Sequence, residues 1–175
     1  MLRRVAVATV EAYKEEKAGI EIMDCIFPHD PEVNFEITKY PGVIIINSNL
    51  DPFEVIKILK RCFVSLAYRV VPIQKWTKAS IEDIIEACIE LAKYVADKNT
   101  TFKVECNRRG RVIKSRSQVE RAVGNEIIEK IGCRVSLKNP EFIIAIEIIG
   151  DIAGVSVSPR NMIWRRENYF RLPLH

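Results

Sequence analysis

Over residues 5–10 apolar and β-branched side chains alternate, the period-two pattern of a strand. Residues 15–26 switch to helical spacing, with Ile22, Cys25 and Ile26 on one face and Gly19 inside the run. Pro28, Asp30 and Pro31 then mark a turn. Two further strands, 34–40 and 43–47, are joined by Pro41-Gly42, a hairpin signal. Asp51 before Pro52 reads as the N-cap and first position of a helix running to Arg61. Residues 63–71 form another strand, closed by Pro72. This order, strand, helix, strand, strand, helix, strand, is that of two βαβ halves on one antiparallel sheet, a ferredoxin-like sandwich. It is expected over residues 1–76.

A second unit follows without a low-complexity linker. Ser80, Glu82 and Asp83 open an amphipathic helix whose inner face is Ile84, Ile85, Cys88, Leu91, Ala92 and Val95. Residues 101–106 alternate as a strand and lead into a basic loop, Asn107-Arg108-Arg109-Gly110-Arg111. Ser117 with Glu120 three residues later reads as a capping box. The helix it predicts carries Val119, Val123, Ile127 and Ile131 and stops at Gly132. A short strand, 135–137, the turn Asn139-Pro140 and a hairpin of 142–149 with 153–157 around Gly150-Asp151 complete the unit. Residues 159–175 form a basic, aromatic tail. The class expected is α+β.

Composition and charge add direction. The chain has 175 residues, 48% hydrophobic and 29% charged, enough to bury a core. It is rich in isoleucine and holds only Gln74 and Gln118 as glutamines, a bias known from thermophiles. No apolar run nears the roughly 18 residues of a membrane span, and the N-terminus lacks the h-region of a signal peptide. Five cysteines, Cys25, Cys62, Cys88, Cys106 and Cys133, form no CxxC pair. They read as small core hydrophobes in a reduced cytoplasm rather than as disulfides or a zinc site. The formal net charge is +4, but residues 1–100 carry 13 basic and 15 acidic side chains, whereas residues 101–175 carry 14 and 8. The basic half points to a polyanionic partner.

Catalytic chemistry finds little to use. His29 lies in a Pro-bounded turn and His175 is the last residue, neither with metal-ligand spacing. No glycine-rich phosphate loop is present. Residues 121–126 partly echo an acetyl-CoA loop, but Glu126 stands where a small residue is needed, so Gly124 reads as a helix-packing position. No catalytic residue, metal or cofactor is expected. The basic segment is more informative. Lys103, Arg108, Arg109, Arg111, Lys114 and Arg116 are six cations within 14 residues, opposed only by Glu105. Guanidinium groups bind phosphate bidentately, and the helix N-terminus that follows offers free N–H groups and a favourable dipole. Gly110 lets the backbone turn there. The tail adds Arg160, Arg165, Arg166 and Arg171 around Trp164, Tyr169 and Phe170, a mixture suited to phosphate contact and base stacking.

The ordered set Phe102-Lys103-Val104, Arg108-Arg109-Gly110, Ser117, Gly124, Gly132, Val135, Leu137, Asn139-Pro140 and Glu147-Ile148 resembles the THUMP domain over residues 78–158. The preceding half resembles the ferredoxin-like domain that accompanies THUMP. The resemblance implies tRNA as ligand, gripped at its acceptor end, with Arg108, Arg109, Gly110 and the neighbouring cations as contacts. The arrangement is similar to THUMP adaptors that present tRNA to a separate cytidine acetyltransferase. A non-catalytic, cytoplasmic tRNA-binding adaptor is therefore the expectation. The alternatives are an RNA-modifying enzyme using Asp24, Glu15 or a cysteine, and a protein-interaction module.

Overall fold

The computed structural model describes residues 1–166. Its elements are β1 (Arg3–Val10), α1 (Glu15–Ile26), β2 (Asn34–Ile37), β3 (Val43–Ser48), α2 (Pro52–Leu59), β4 (Ala67–Pro72), β5 (Lys75–Lys78), α3 (Ile81–Ala92), β6 (Thr101–Arg109), α4 (Arg116–Ile131), β7 (Arg134–Val135), β8 (Phe142–Ile149), β9 (Ile152–Ser158), a 3-10 turn (Arg160–Met162) and β10 (Trp164–Arg165). They form an α+β chain of two compact units, residues 1–72 with 163–166, and Ile73–Met162. The division falls earlier than the expected 76/78 because β5 pairs with β9 in the second sheet. The expected tail is likewise divided: β10 pairs with β4 in the first sheet.

In the first unit the strand order β10-β4-β1-β3-β2 is all antiparallel, with the ferredoxin-like order β4-β1-β3-β2 inside it. Asp51 caps α2 through the Phe53 N–H and forms a capping box with Glu54. Gly19 of α1 has a steric reason: a Cβ there would lie 2.4 Å from the Phe35 ring. The fourth strand begins at Ala67 rather than at residue 63. Glu21 of α1 accepts hydrogen bonds from the N–H groups of Ser65 and Leu66 and from the Ser65 hydroxyl, which holds this segment as a loop. One turn along α1, Cys25 is disulfide-bonded to Cys62, with Cα atoms 6.0 Å apart. This corrects the expectation of five reduced cysteines. Two cysteines 37 residues apart share no local motif, and only the packing of α1 beside the end of α2 brings them together. Cys88, Cys106 and Cys133 are free and buried.

In the second unit the order is β5-β9-β8-β6-β7, with β6 parallel to β7 and β8 and the remaining pairs antiparallel. α3 and α4 cover one face. That core holds Phe102 stacked on Phe142 at 5.8 Å, with Cys106, Ile144, Ile146, Val155 and Val157 from the sheet and Ile84, Cys88, Val119, Val123 and Ile127 from the helices. Burying side chains of this size stabilises by about 1.5–3 kcal/mol each before entropy is counted. α3 ends at Ala92, so Val95 is 55% exposed and not part of the helix's inner face. Gly124 meets no atom within 4 Å of a Cβ position, so it is not the packing contact its place in the sequence predicted.

Candidate nucleic-acid interface

The six clustered cations do not stay together. β6 runs on to Arg109, so Asn107, Arg108 and Arg109 are strand residues and not loop. Strand alternation then places Arg108 and Arg109 on opposite faces. Arg109 pairs with the Glu147 carboxylate of β8, and the two side chains are 15% and 0% exposed. Asn107 Nδ2 donates to the other oxygen of Glu147 at 3.3 Å. A guanidinium committed to a buried carboxylate is a structural lock rather than an open phosphate contact. Lys103 lies on the same face as Arg109 and pairs with Glu105 at 3.3 Å. These two cations thus lie on the sheet face opposite Arg108, each paired with a carboxylate.

What remains is an exposed cationic edge. Arg108, Arg111, Lys114 and Arg116 are all exposed between the end of β6 and the start of α4. Arg108 Nη1 donates to the Gly110 carbonyl at 2.7 Å, which ties the turn to the strand. Gly110 has φ 96°, a conformation that costs other L-residues energy, so the turn requires glycine. α4 is capped by Ser115, whose hydroxyl accepts from the Gln118 N–H, and not by Ser117. Ser117 instead exchanges a 2.8 Å hydrogen bond with Ser115. Glu120, expected to close a capping box, accepts from the Cys106 N–H at 3.0 Å and fastens α4 to β6. No acidic residue occupies the first turn, so the positive end of α4 is not neutralised from within.

Along α4 the edge continues into a polar cleft of about 540 Å³ lined by Ser115, Ser117, Gln118, Arg121, Ala122 and Asn125. Gln118, Arg121 and Asn125 were not singled out from sequence, although their spacing (i, i+3 and i+7) puts them on one helix face. The tail cations are dispersed. Arg160 is exposed in the 3-10 turn. Arg165 is in β10 beside Arg69. Arg166 donates from Nε to the Ala67 carbonyl at 3.0 Å and covers the Tyr68 ring at 4.3 Å, a structural role rather than an open contact. Tyr169, Phe170, Arg171 and His175 lie outside the described residues.

Residues 78–158 match the model of the THUMP domain. The chain contains a THUMP domain. Its α4 and the β6–α4 turn carry the cationic edge described above. The chain is 25% identical over 120 residues to the protein MJ0421 of Methanocaldococcus jannaschii, covering 69% of this chain and 32% of that one. It therefore spans about a third of that relative's length. Among solved structures, PH1313 from Pyrococcus horikoshii superposes with a TM-score of 0.67 at 22% identity, over 90% of this chain and 55% of that one. TrmN from Thermus thermophilus gives 0.58 at 21%, over 89% and 46%. A 4-thiouridine synthetase solved with RNA and bound ATP gives 0.58 at 14%, over 93% and 42%. These likenesses establish the fold of the THUMP domain and its companion unit.

Proposed function

We propose that this chain binds tRNA through the cationic edge of its THUMP domain and presents it to a separate tRNA-modifying enzyme, a cytidine acetyltransferase in the specific form of the reading. The observation that carries it is the cluster of exposed Arg108, Arg111, Lys114, Arg116 and Arg121 around the uncompensated N-terminus of α4. Phosphate oxygens fit that arrangement: forked guanidinium donors, a point charge at Lys114 and free N–H groups. The RNA-bound 4-thiouridine synthetase with this fold lends support. The polar groups of Gln118 and Asn125 lie next to the cations and suit ribose or base contacts.

An adaptor also accounts for the chemistry of the alternative candidates. Glu15 accepts hydrogen bonds from the Gly42 N–H, at 2.6 Å, and the Tyr13 N–H, and the Gly42 bond first among these lowers its pKa. These bonds tie the start of α1 to the turn at Gly42, a structural role that supports the adaptor. Burial raises the Cys88 thiol far above the usual range and pushes Cys106 up to about 12, so neither supplies a thiolate near neutrality. In this reading the partner supplies catalysis, and the chain alone converts no nucleoside with acetyl-CoA, S-adenosylmethionine or ATP.

The test is a binding titration of the full chain with tRNA and with single-stranded DNA of equal length over a salt series. Neutralising 4–6 phosphates predicts a slope of log affinity against log salt of about −3 to −5. Tighter binding to tRNA with that slope supports the reading, and flat salt dependence or equal preference for the DNA refutes it. A modified nucleoside produced by the chain alone would replace the adaptor with an enzyme.

A further inference from the structure

α3 turns Ile84, Ala87, Cys88 and Ala92 into the core of the second unit. Its outer side carries Glu82, Glu86 and Glu90, four residues apart and hence in one row. Lys75 of β5 engages Glu90, whereas Glu82 and Glu86 have no ion-pair partner among the described residues. Beside the row Ile85 and the largely buried Ile89 floor a groove of about 780 Å³, closed at its far end by Lys93, Tyr94 and by Lys130 from the last turn of α4. Tyr94 is 85% exposed and the adjacent Val95 55%. Glu82 sits in the first turn, where the helix dipole accounts for an acid, but that field fades within a turn and does not account for Glu86.

The charges of the groove are divided: Lys93 and Lys130 stand at its far end, and Glu82 and Glu86 make the end nearest the start of α3 acidic. Those carboxylates repel an RNA backbone, so the groove is no continuation of the cationic edge, and they set the partner class at that end. Distance separates them as well. Arg116 to Lys130 spans fourteen residues of α4, about 21 Å at 1.5 Å per residue. We infer that the α3 groove docks a basic amphipathic helix of a protein partner, and that it does so while the N-terminal edge of α4 holds its own ligand. An aliphatic side chain of the partner seats between Ile85, Ile89 and the Tyr94 ring. Lysine or arginine one turn away faces Glu82 and Glu86. Apolar anchors give such a helix affinity, and opposite charges flanking them set its register. The inference goes beyond RNA binding and stands without it, because no groove residue belongs to the cationic edge.

The experiment is an amide-resolved NMR titration of the full chain with two synthetic helical peptides. One has a leucine stripe flanked by lysine, the other the same stripe flanked by glutamate. Saturable shifts centred on Ile85, Glu86, Ile89 and Tyr94 are expected with the lysine peptide only. Glu82→Lys with Glu86→Lys should weaken that binding by at least about tenfold. Should the charge-reversed helix fail to fold, Tyr94→Ser, in the exposed segment beyond α3, carries the same expectation. A parallel titration with tRNA should move signals at the start of α4 and leave the groove unmoved, and it should do so equally in the double variant. Failure of that arm alone counts against the RNA reading and not against the groove. Non-saturating shifts scattered over the chain's acidic residues, or unchanged affinity in the variants, would overturn the inference. Groove shifts that grow with protein concentration in the absence of peptide would also overturn it, making a second copy of the chain the occupant.

Discussion

Arg109→Ala separates a structural arginine from a ligand-binding one. In the native chain Glu147 is fully buried and Arg109 is 15% exposed, and the pair bridges β6 and β8. Removing one partner of a buried pair costs about 3–5 kcal/mol, because the other charge stays buried without its counterion. Taking about 3 kcal/mol, since Arg109 keeps some contact with solvent, and about 4 °C or more per kcal/mol for a unit of this size, melting should fall by roughly 12 °C or more. Exposed Arg108→Ala and Arg111→Ala should stay within about 0.5 kcal/mol of the native protein. The assay is thermal melting followed by tryptophan fluorescence in a Trp164→Phe background. Trp76 of β5 then reports the second unit alone. Adding Glu147→Gln to Arg109→Ala should restore part of the loss, because the buried charge is gone. A single Arg109→Ala variant that melts like the native protein would refute the lock and return Arg109 to the ligand-binding edge.

Other outcomes follow from the same structure. Gly124→Ala should stabilise α4 by about 0.5–1 kcal/mol, the ordinary helix gain, whereas Gly19→Ala should destabilise α1 because the new methyl meets the Phe35 ring; denaturant melts compare the two. Alkylation of the unreduced, denatured chain should label three cysteines, Cys88, Cys106 and Cys133, and prior reduction should raise the count to all five. Reduction should also lower stability by about 3–4 kcal/mol, the closure entropy of a loop of this length. The Ser48 hydroxyl, first, and the Asn49 groups hydrogen-bond Asp30 and hold its pKa below the usual value. A carboxyl depressed in the folded state stabilises above its unfolded pKa, near 3.9, and loses that contribution as pH falls through the lower folded value. Asp30→Asn should therefore flatten the acid limb of a pH–stability curve below about pH 4.

Much of the fold is written in short-range pattern. Glu15–Ile26 and Phe142–Ile149 have the bounds their periodicity predicts, because each element buries a continuous stripe of its own side chains. β5 and β10 escape this reading. Lys75-Trp76-Thr77-Lys78 has no apolar alternation and is a strand only because β9, far along the chain, offers a free edge. The interface is legible to the same degree. Arg108, Arg111, Lys114 and Arg116 are adjacent in sequence and remain so in space, since a turn and a helix start connect them. Arg109 is lost from the set through Glu147, 38 residues away, and Arg121 joins it only through helical geometry. Charge density along a chain locates a region, and the strand pleat and long-range partners decide which of its side chains remain open.

In the proposed function, exposed cations at the start of α4 hold tRNA phosphates. Its most direct test is the tRNA affinity of a chain carrying Arg108→Glu, Arg111→Glu, Lys114→Glu and Arg116→Glu, with Arg109 left in place, beside a thermal melt. Each charged hydrogen bond to phosphate is worth about 1.5–3 kcal/mol, and about 1.4 kcal/mol is one decade of affinity. Binding should weaken far more than tenfold and equally for different tRNAs, because phosphate contacts carry no sequence information. The melting temperature should stay near the native value. Native affinity in a folded quadruple variant would refute tRNA binding at this edge.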